Sequence, residues 1–275
     1  RIFVMMISWP PICCAGSINM DDGREKLRKW VLIIVMHLLA VLAWQAWITL
    51  GEVEPYIMPA PLDTFATLLE YKEYRWVHNT MITAASVFGG FWLAVVVGVT
   101  LAVLFSWSRW LNDAFMPLIV SLNMIPKVAL GPIFIVWFSY GLGPNILIAF
   151  SICFLPILIT TTRGLGEVEP ELIDLVRTLR ASRWQIFTKI QLPGALPFIF
   201  SGMKVAVVLA VAGAIVGEFI ASEEGLGYLM MQVQVTLDTA GMFMAVLMIT
   251  AVGVMLYAIV LLLERLLVVS DARME

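Results

Sequence analysis

The sequence contains few charged residues. Asp, Glu, Lys and Arg together make up 13% of its 275 residues, whereas they make up about 25% of an average soluble domain. Hydrophobic residues make up 61%, against roughly 45–50% in soluble domains. The formal net charge is −3, and no run of basic residues indicates nucleic-acid binding. The shortage of charge therefore argues against a soluble domain and indicates a chain surrounded by lipid.

Cysteine is also scarce, and the side-chain groupings that carry catalysis or bind metals are missing. Cys13 and Cys14 are adjacent and Cys153 lies in an apolar stretch, which indicates neither a disulfide framework nor a metal site. The phosphate-binding pattern G-x-x-x-x-G-K-S/T does not occur. The sequence has no recognisable Ser–His–Asp or Cys–His grouping either. We therefore predict that the chain binds no metal or cofactor of its own and is not an enzyme by itself.

Long apolar runs are abundant instead. A membrane-spanning helix needs about 20 mostly apolar residues. Six stretches of the sequence meet this requirement, namely 30–50, 81–107, 114–138, 144–162, 197–221 and 241–263. The charged residues inside them are Lys127, Lys204 and Glu218. The sequence thus predicts an all-α membrane protein, a bundle of six transmembrane helices.

Lys and Arg are distributed unevenly between the two sides of this predicted bundle. Lys72 and Arg75 fall on one side. Twelve fall on the other side: Arg24, Lys26, Arg28, Lys29, Arg109, Arg163, Arg177, Arg180, Arg183, Lys189, Arg265 and Arg273. Since short loops rich in Lys and Arg stay in the cytoplasm, we expect a cytoplasmic N-terminal tail (1–29) and a cytoplasmic C-terminal tail (268–275). Residues 1–19 fit a secretory signal poorly, and Met20 resembles a natural start.

Two of the predicted connections are long enough to contain helices. The external connection 51–76 has Pro61 near a helix start, and its apolar residues share one helical face. These apolar residues are Leu62, Phe65, Leu68 and Leu69. A short amphipathic helix at the outer surface is therefore predicted. The cytoplasmic connection 164–191 is expected to form two helices. Pro170 suits the first turn of the first helix, and Asp174 and Arg177 are spaced for an ion pair within it.

The second of these cytoplasmic helices is predicted to begin after Ser182, a candidate N-cap, and to extend through Lys189. Pro193 is expected to break the chain before the fifth span. The helix carries three bulky apolar residues, Trp184, Ile186 and Phe187. Two interpretations remain open from the residues alone: the segment lies among lipid headgroups, or it docks a cytoplasmic partner.

The order of residues in this connection resembles the EAA loop of binding-protein-dependent ABC permeases. That pattern is roughly E-A-A-x-x-x-G, then nine residues, then an apolar residue, any residue and L-P. Asp174 stands at the Glu position, Leu175 and Val176 at the two Ala positions, and 190–193 (IQLP) at the end. Arg180 departs from the pattern because it occupies the glycine position, where the family's glycine eases the turn between helices.

Four other segments resemble one branch of this family, the nitrate, sulfonate and taurine permeases and their relatives for pyrimidine precursors. They are 58–61 (MPAP), 125–132 (IPKVALGP), 217–219 (GEF) and 224–229 (EGLGYL). The resemblance implies a type I importer permease domain over 77–267, with coupling helices in the loop 164–191. It implies cargo such as a small anion or a pyrimidine-type vitamin precursor.

The resemblance also implies partners and a location. The expected partners are a second permease subunit that makes a homodimer, two cytoplasmic ATPases that hold ATP and Mg, and an external or periplasmic binding protein. The expected location is the bacterial inner membrane. Coupling to the ATPases is assigned by the resemblance to residues of the cytoplasmic connection: Asp174, Arg177, Arg180, Ser182, Arg183, Trp184, Phe187 and Pro193.

The charged residues within the spans are candidates for the translocation pathway. Lys127, between two prolines, should face the bundle or a water-filled cavity. Lys204 either lines the pathway or reaches the cytoplasmic interface, and Glu218 either lines it or reaches water at the outer end. A secondary transporter, the alternative, usually shows inverted repeats and acidic residues at mid-membrane. The sequence shows no repeat, and Glu218 is the only acidic residue in the predicted spans. Gly213 and Gly217 permit close helix packing, as at a subunit interface.

Overall fold

The regular structure of the described residues is entirely helical. The computed structural model describes residues 20–69, 74–168 and 170–268. Its helices are α1 (Met20–Leu50), α2 (Pro61–Ala66), α3 (Trp76–Trp107), α4 (Arg109–Asn123), α5 (Lys127–Phe138), α6 (Leu142–Gly166), α7 (Pro170–Thr178), α8 (Arg183–Ile186), α9 (Leu192–Ala221), α10 (Leu226–Val235) and α11 (Thr239–Leu267). A 3₁₀ turn, Thr67–Leu69, follows α2, and a π-helical turn, Phe187–Gln191, joins α8 to α9. The predicted all-α class is confirmed.

Five helical runs of the described residues are long and apolar enough to cross a membrane: Val31–Leu50, Trp76–Trp107, Leu142–Gly166, Arg183–Ala221 and Thr239–Leu267. A sixth span results if α4 and α5 are counted together, although the two are bent by 92°. The predicted third span, 114–138, is therefore present as two helices, broken beside Lys127. Pro126 lacks an N–H group and disfavours helical geometry at Ile125, so the helix ends at Asn123 and restarts at Lys127.

The centre of the bundle consists of α3, α6 and α9, which pack closely because small residues line their contacts. A Cβ atom added at Gly213 would lie 2.8 Å from the Cα of Ala149, and one at Gly217 would lie 2.9 Å from the Cα of Asn145. Both glycines thus bring α9 against α6 of the same chain. The prediction that this pair lies at a subunit interface is wrong, because both glycines pack against α6 of the same subunit.

The two ends of the bundle differ in structure. At one end, called the α10 end, α2 and α10 pack beside the start of α3, and Trp76 donates a hydrogen bond from Nε1 to the Thr67 carbonyl over 2.8 Å. The predicted external helix exists there as α2. At the opposite end, called the α8 end, α7 and α8 connect α6 to α9. The helix α1 contacts little of the bundle. None of residues 31–50 is buried, although the Trp44 ring lies 5.7 Å from that of Phe243.

Candidate functional site

The exposed element of the α8 end is the α7–α8 segment, defined as Pro170–Ile186. Its first helix, α7, presents Leu175, which is 59% exposed, and Leu179, immediately after the helix, is 75% exposed. The predicted ion pair forms, with Arg177 Nη1 3.3 Å from Asp174 Oδ1. Because both side chains are exposed, the pair contributes little stability. This helix therefore offers a mixed apolar and charged surface.

A sharp turn at Arg180 separates α7 from α8. Arg180 has a φ of 60°, in the left-handed region. Its N–H donates to the Arg177 carbonyl over 2.9 Å, and the Ala181 N–H donates to the Val176 carbonyl over 3.3 Å. These two hydrogen bonds make a Schellman motif, in which the left-handed position is normally glycine. The departure at Arg180 therefore preserves the bend, but the β-carbon adds a strain of about 1–2 kcal/mol.

Arg180→Gly should consequently stabilise the protein by about 0.5–1 kcal/mol, because glycine adopts this conformation without strain but loses more entropy on folding. The matched control is Arg177→Gly inside α7, which should destabilise by about 1 kcal/mol. Thermal unfolding in detergent micelles measures both variants. Equal destabilisation by the two glycines would contradict the assignment of strain to position 180.

The predicted N-cap of α8 is confirmed. Ser182 Oγ accepts a hydrogen bond from the Gln185 N–H over 3.2 Å, and Gln185 Oε1 accepts one from the Ser182 N–H over 2.8 Å. This reciprocal capping box fixes the start of α8 immediately before Arg183. Sequence reasoning overlooked Gln185, although S-x-x-Q is the signal of such a box.

Pro193 does not break the chain between α8 and the following span. The helical run is continuous from Arg183 to Ala221, so the predicted break is wrong. The π-helical turn accommodates the proline, since its hydrogen bonds reach one residue further and the Leu192 N–H donates to the Phe187 carbonyl. Pro193 then occupies the start of α9, where a missing N–H costs little.

The aromatic residues of this region divide into buried and exposed. Phe187 is 6% exposed and its ring lies 5.7 Å from that of Trp107, at the end of α3. Ile186 is likewise buried. Trp184 is 62% exposed, and its ring lies 6.5 Å from that of Trp107. Phe187 thus packs into the core of its own chain, and of these two aromatic side chains Trp184 is the one exposed to a partner.

Lys127 lies at the break between α4 and α5. Its Nζ donates to the carbonyls of Leu122 and Asn123, over 3.3 and 3.0 Å. These are the last carbonyls of α4, of which that of Leu122 also accepts the Ile125 N–H over 3.3 Å, and a cation is favourable at this end of a helix. The structure thus gives Lys127 a role in stabilising the 92° bend.

Lys204 forms an ion pair that the sequence did not suggest. Its Nζ lies 2.7 Å from Glu264 Oε1 of α11, and the two side chains are 28% and 14% exposed. The predicted sixth span ended at residue 263, whereas α11 continues to Leu267 and includes Glu264. The statement that Glu218 is the only acidic residue within the spans is therefore wrong. The pair joins α9 to α11.

Glu218 is fully buried, so the expectation that it reaches water at the outer end is wrong. Its Oε2 accepts hydrogen bonds from Thr83 Oγ1, over 3.0 Å, and from the Gly227 N–H, over 2.7 Å. Thr83 Oγ1 accepts the Leu226 N–H over 2.8 Å, and Asn79 Oδ1 accepts the Gly225 N–H over 3.0 Å. We call Asn79, Thr83, Glu218 and these three amides the Glu218 cluster. Sequence reasoning missed Asn79 and Thr83.

The part of the chain that the structure describes holds no grouping of three His, Cys, Asp or Glu side chains that could bind a metal ion. Two features of the described residues are candidates for function: the exposed α7–α8 segment at one end and the buried Glu218 cluster at the other. A single helical run, Arg183–Ala221, carries part of both.

The helices define a multi-pass, all-helical membrane protein. The chain belongs to the family described as "Binding-protein-dependent transport system inner membrane component", whose model matches residues 94–274. This is a family of transport subunits that work with separate ATPases, so the chain is not an enzyme. The resemblance stated from the sequence is confirmed.

Individual relatives agree with this assignment. The riboflavin transport system permease protein RibX of Chloroflexus aurantiacus is 36% identical over 86% of this chain and 89% of its own length. The formylaminopyrimidine transport permease protein ThiX of Halalkalibacterium halodurans is 31% identical over 78% and 86%. Among solved structures, an inward-facing MetNI methionine ABC transporter matches with a TM-score of 0.55 and 21% identity, over 66% of this chain and 93% of that one. This last likeness supports the fold.

Proposed function

We propose that this chain, a permease subunit of an ABC importer, forms the translocation pathway together with a second copy and receives cargo from an external binding protein. The cargo we propose is a small polar solute. Relatives named for riboflavin and formylaminopyrimidine are 36% and 31% identical, whereas relatives named for aliphatic sulfonates and bicarbonate are 28% and 29% identical. This order of identities supports a heteroaromatic vitamin or vitamin precursor ahead of a small anion such as a sulfonate or bicarbonate.

The α7–α8 segment is, in this proposal, the docking site for the ATPase. The observation that carries the proposal is its combination of exposed apolar side chains, Leu175, Leu179 and Trp184, with a turn held by a Schellman motif and a capping box. A surface of this kind, rigid and partly apolar, suits a protein partner, and the neighbouring arginines would tune association.

Movement of the docked segment would reach the membrane directly, because α8 continues into α9 without a break. The run Arg183–Ala221 has 39 residues and is therefore about 58 Å long at 1.5 Å per residue. Such a helix can transmit a displacement from the α8 end to the α10 end as a rigid body. Two-state rocking of the bundle would then expose the pathway alternately to each side.

The orientation we propose places the α8 end in the bacterial cytoplasm and both termini on the same side. It rests on the excess of Lys and Arg in the loops of that end. The tails 1–19 and 269–275 lie outside the described residues. In intact cells, an impermeant thiol reagent should label Glu223→Cys, at the α10 end, and should leave Ser182→Cys unlabelled. Labelling of the second variant would overturn the orientation.

Trp184→Ala tests the docking function. The Trp184 ring is expected to be buried against the ATPase, and truncation of such an anchor costs about 2 kcal/mol or more, or roughly 30-fold in the dissociation constant. Retention of the co-expressed ATPase on the purified membrane protein is the measurement. The matched control is Trp110→Ala, since Trp110 is 73% exposed but lies in α4.

Retention should be unchanged in the Trp110 control and only slightly reduced by Arg183→Ala, because charges at the edge of an interface contribute less. The competing interpretation places the segment among lipid headgroups. It predicts that Trp184→Ala keeps the ATPase bound and ATP hydrolysis unaltered, and this result would refute docking.

A further inference from the structure

The first amides of α10 are bound by side chains from two other helices. Gly225, the N-cap, and the next two residues, Leu226 and Gly227, donate in order to Asn79 Oδ1, Thr83 Oγ1 and Glu218 Oε2. The first N–H groups of a helix have no partners within it. The start of α10 is therefore fixed to α3 and α9 by three consecutive hydrogen bonds, and α10 cannot move relative to them without breaking these bonds.

The site is shaped to hold the Glu218 carboxyl group. Gly225 has a φ of 109°, and a Cβ atom at this residue would lie 2.5 Å from Glu218 Cδ. A Cβ atom at Gly227 would lie 2.9 Å from Glu218 Cβ. Glycine at both positions lets the backbone approach the carboxyl group closely. The acidic group also lies at the positive end of the α10 dipole, where it is favourable.

Both helices that hold α10 reach the α8 end. Glu218 lies near the end of the helical run that begins with α8 at Arg183. Thr83 lies on α3, whose last residue, Trp107, contacts the rings of Trp184 and Phe187. The Glu218 cluster is thus attached to the α7–α8 segment through a continuous helix and through a second helix that packs against it.

We propose that Glu218 and Thr83 are positioning residues that make α10 follow the movement of α9 and α3, so that a displacement of the α7–α8 segment changes the α10 end. This inference rests on the proposed docking function. Glu218 Oε1 is buried and has no hydrogen-bond partner among the described residues. The carboxyl group therefore retains an acceptor for a different partner in another state of the transport cycle.

The experiment follows both ends of the molecule in the complex with its ATPases. The variants Glu171→Cys, in α7, and Gln232→Cys, in α10, are each labelled with a maleimide reagent, with and without ATP, Mg and vanadate. Cys13 and Cys14 are replaced by Ser, and Cys153 is kept because it is buried. In the otherwise native chain, nucleotide should change the labelling rate at both positions.

The test variants are Thr83→Val, which has the same shape without the hydroxyl group, and Glu218→Ala. Loss of a hydrogen bond that leaves a buried partner unsatisfied corresponds to roughly five- to hundredfold in an equilibrium constant. We expect the change in labelling rate that nucleotide causes at position 232 to fall about tenfold, while the change at position 171 persists. Thr83→Ser, which keeps the hydroxyl group, should restore the response. Glu223→Gln, at an exposed neighbouring carboxylate, should have no effect.

The outcomes separate this inference from the function on which it rests. If nucleotide changes neither position in the native chain, the docking function fails. If both positions respond in the native chain and still respond in Thr83→Val and Glu218→Ala, the inference fails and docking stands. A further outcome is that the variants assemble in lower yield or unfold at a lower temperature while each assembled complex keeps the same nucleotide-dependent change in labelling rate. That result would also overturn the inference, since the residues would then be merely structural.

Discussion

Phe187→Ala is expected to destabilise the membrane domain by about 3–5 kcal/mol, the usual cost of removing a buried aromatic ring. Phe187 is 6% exposed and belongs to the main core, and one side of its ring contacts the exposed ring of Trp107. The variant should unfold at a markedly lower temperature in detergent, and less of it should be recovered from membranes. Thermal unfolding followed by the fluorescence of the protein's tryptophans is a suitable measurement.

Trp184→Ala is the comparison for this prediction, because the two aromatic residues are three positions apart and differ in burial. Trp184 is 62% exposed, so its removal should change stability by less than about 1 kcal/mol. The two variants should therefore separate folding from docking, with Phe187→Ala lowering stability and Trp184→Ala lowering ATPase retention. A stable Phe187→Ala protein that no longer binds the ATPase would reverse this assignment.

Lys204→Met should destabilise the protein by up to about 3 kcal/mol. Removing one partner of a fully buried ion pair costs about 3–5 kcal/mol, because the remaining charge is left without compensation. Glu264 is 14% exposed and would be left unpaired, while the partial exposure of Lys204, at 28%, reduces the cost below that of a fully buried pair. The measurement is again thermal unfolding in detergent.

The double variant Lys204→Met with Glu264→Met provides the control. Replacing both charges by apolar residues is often close to neutral or even stabilising, so the double variant should recover most of the stability lost in Lys204→Met. Normal stability of Lys204→Met alone, or a double variant that is less stable than Lys204→Met, would indicate that the two side chains do not interact in the membrane.

Hydropathy and the local preferences of neighbouring residues were sufficient to predict much of the fold. The apolar runs predicted the spans because lipid requires long helices whose backbone groups are internally satisfied. The N-cap at Ser182 was also predictable, since capping depends on neighbouring residues. Local rules failed at Pro193, however. A proline normally ends a helix, but here a π-helical turn precedes it, and Phe187 in that turn contacts Trp107 at the end of α3.

The candidate sites were harder to predict because their contacts join residues far apart in the sequence. Thr83 and Glu218 are separated by 135 positions, and the sequence gives no sign that a threonine near the start of α3 meets a carboxyl group near the end of α9. The burial of Phe187 has the same origin, since periodicity identifies an apolar face but does not identify what covers it. Such pairings emerge only from tertiary packing.

The Lys204–Glu264 ion pair has a consequence for how the protein enters the membrane. The two residues are sixty positions apart, and α9 is synthesised well before α11. Lys204 must therefore be inserted while its partner does not yet exist. The cost is below the roughly 2.5–3.5 kcal/mol of a lysine at the centre of a lone helix, because Glu264 places the pair near the end of α11. The long apolar remainder of α9 has to compensate until α11 arrives. Membrane insertion thus requires α9 to be more hydrophobic than the finished bundle needs it to be, since in that bundle the two charges are paired.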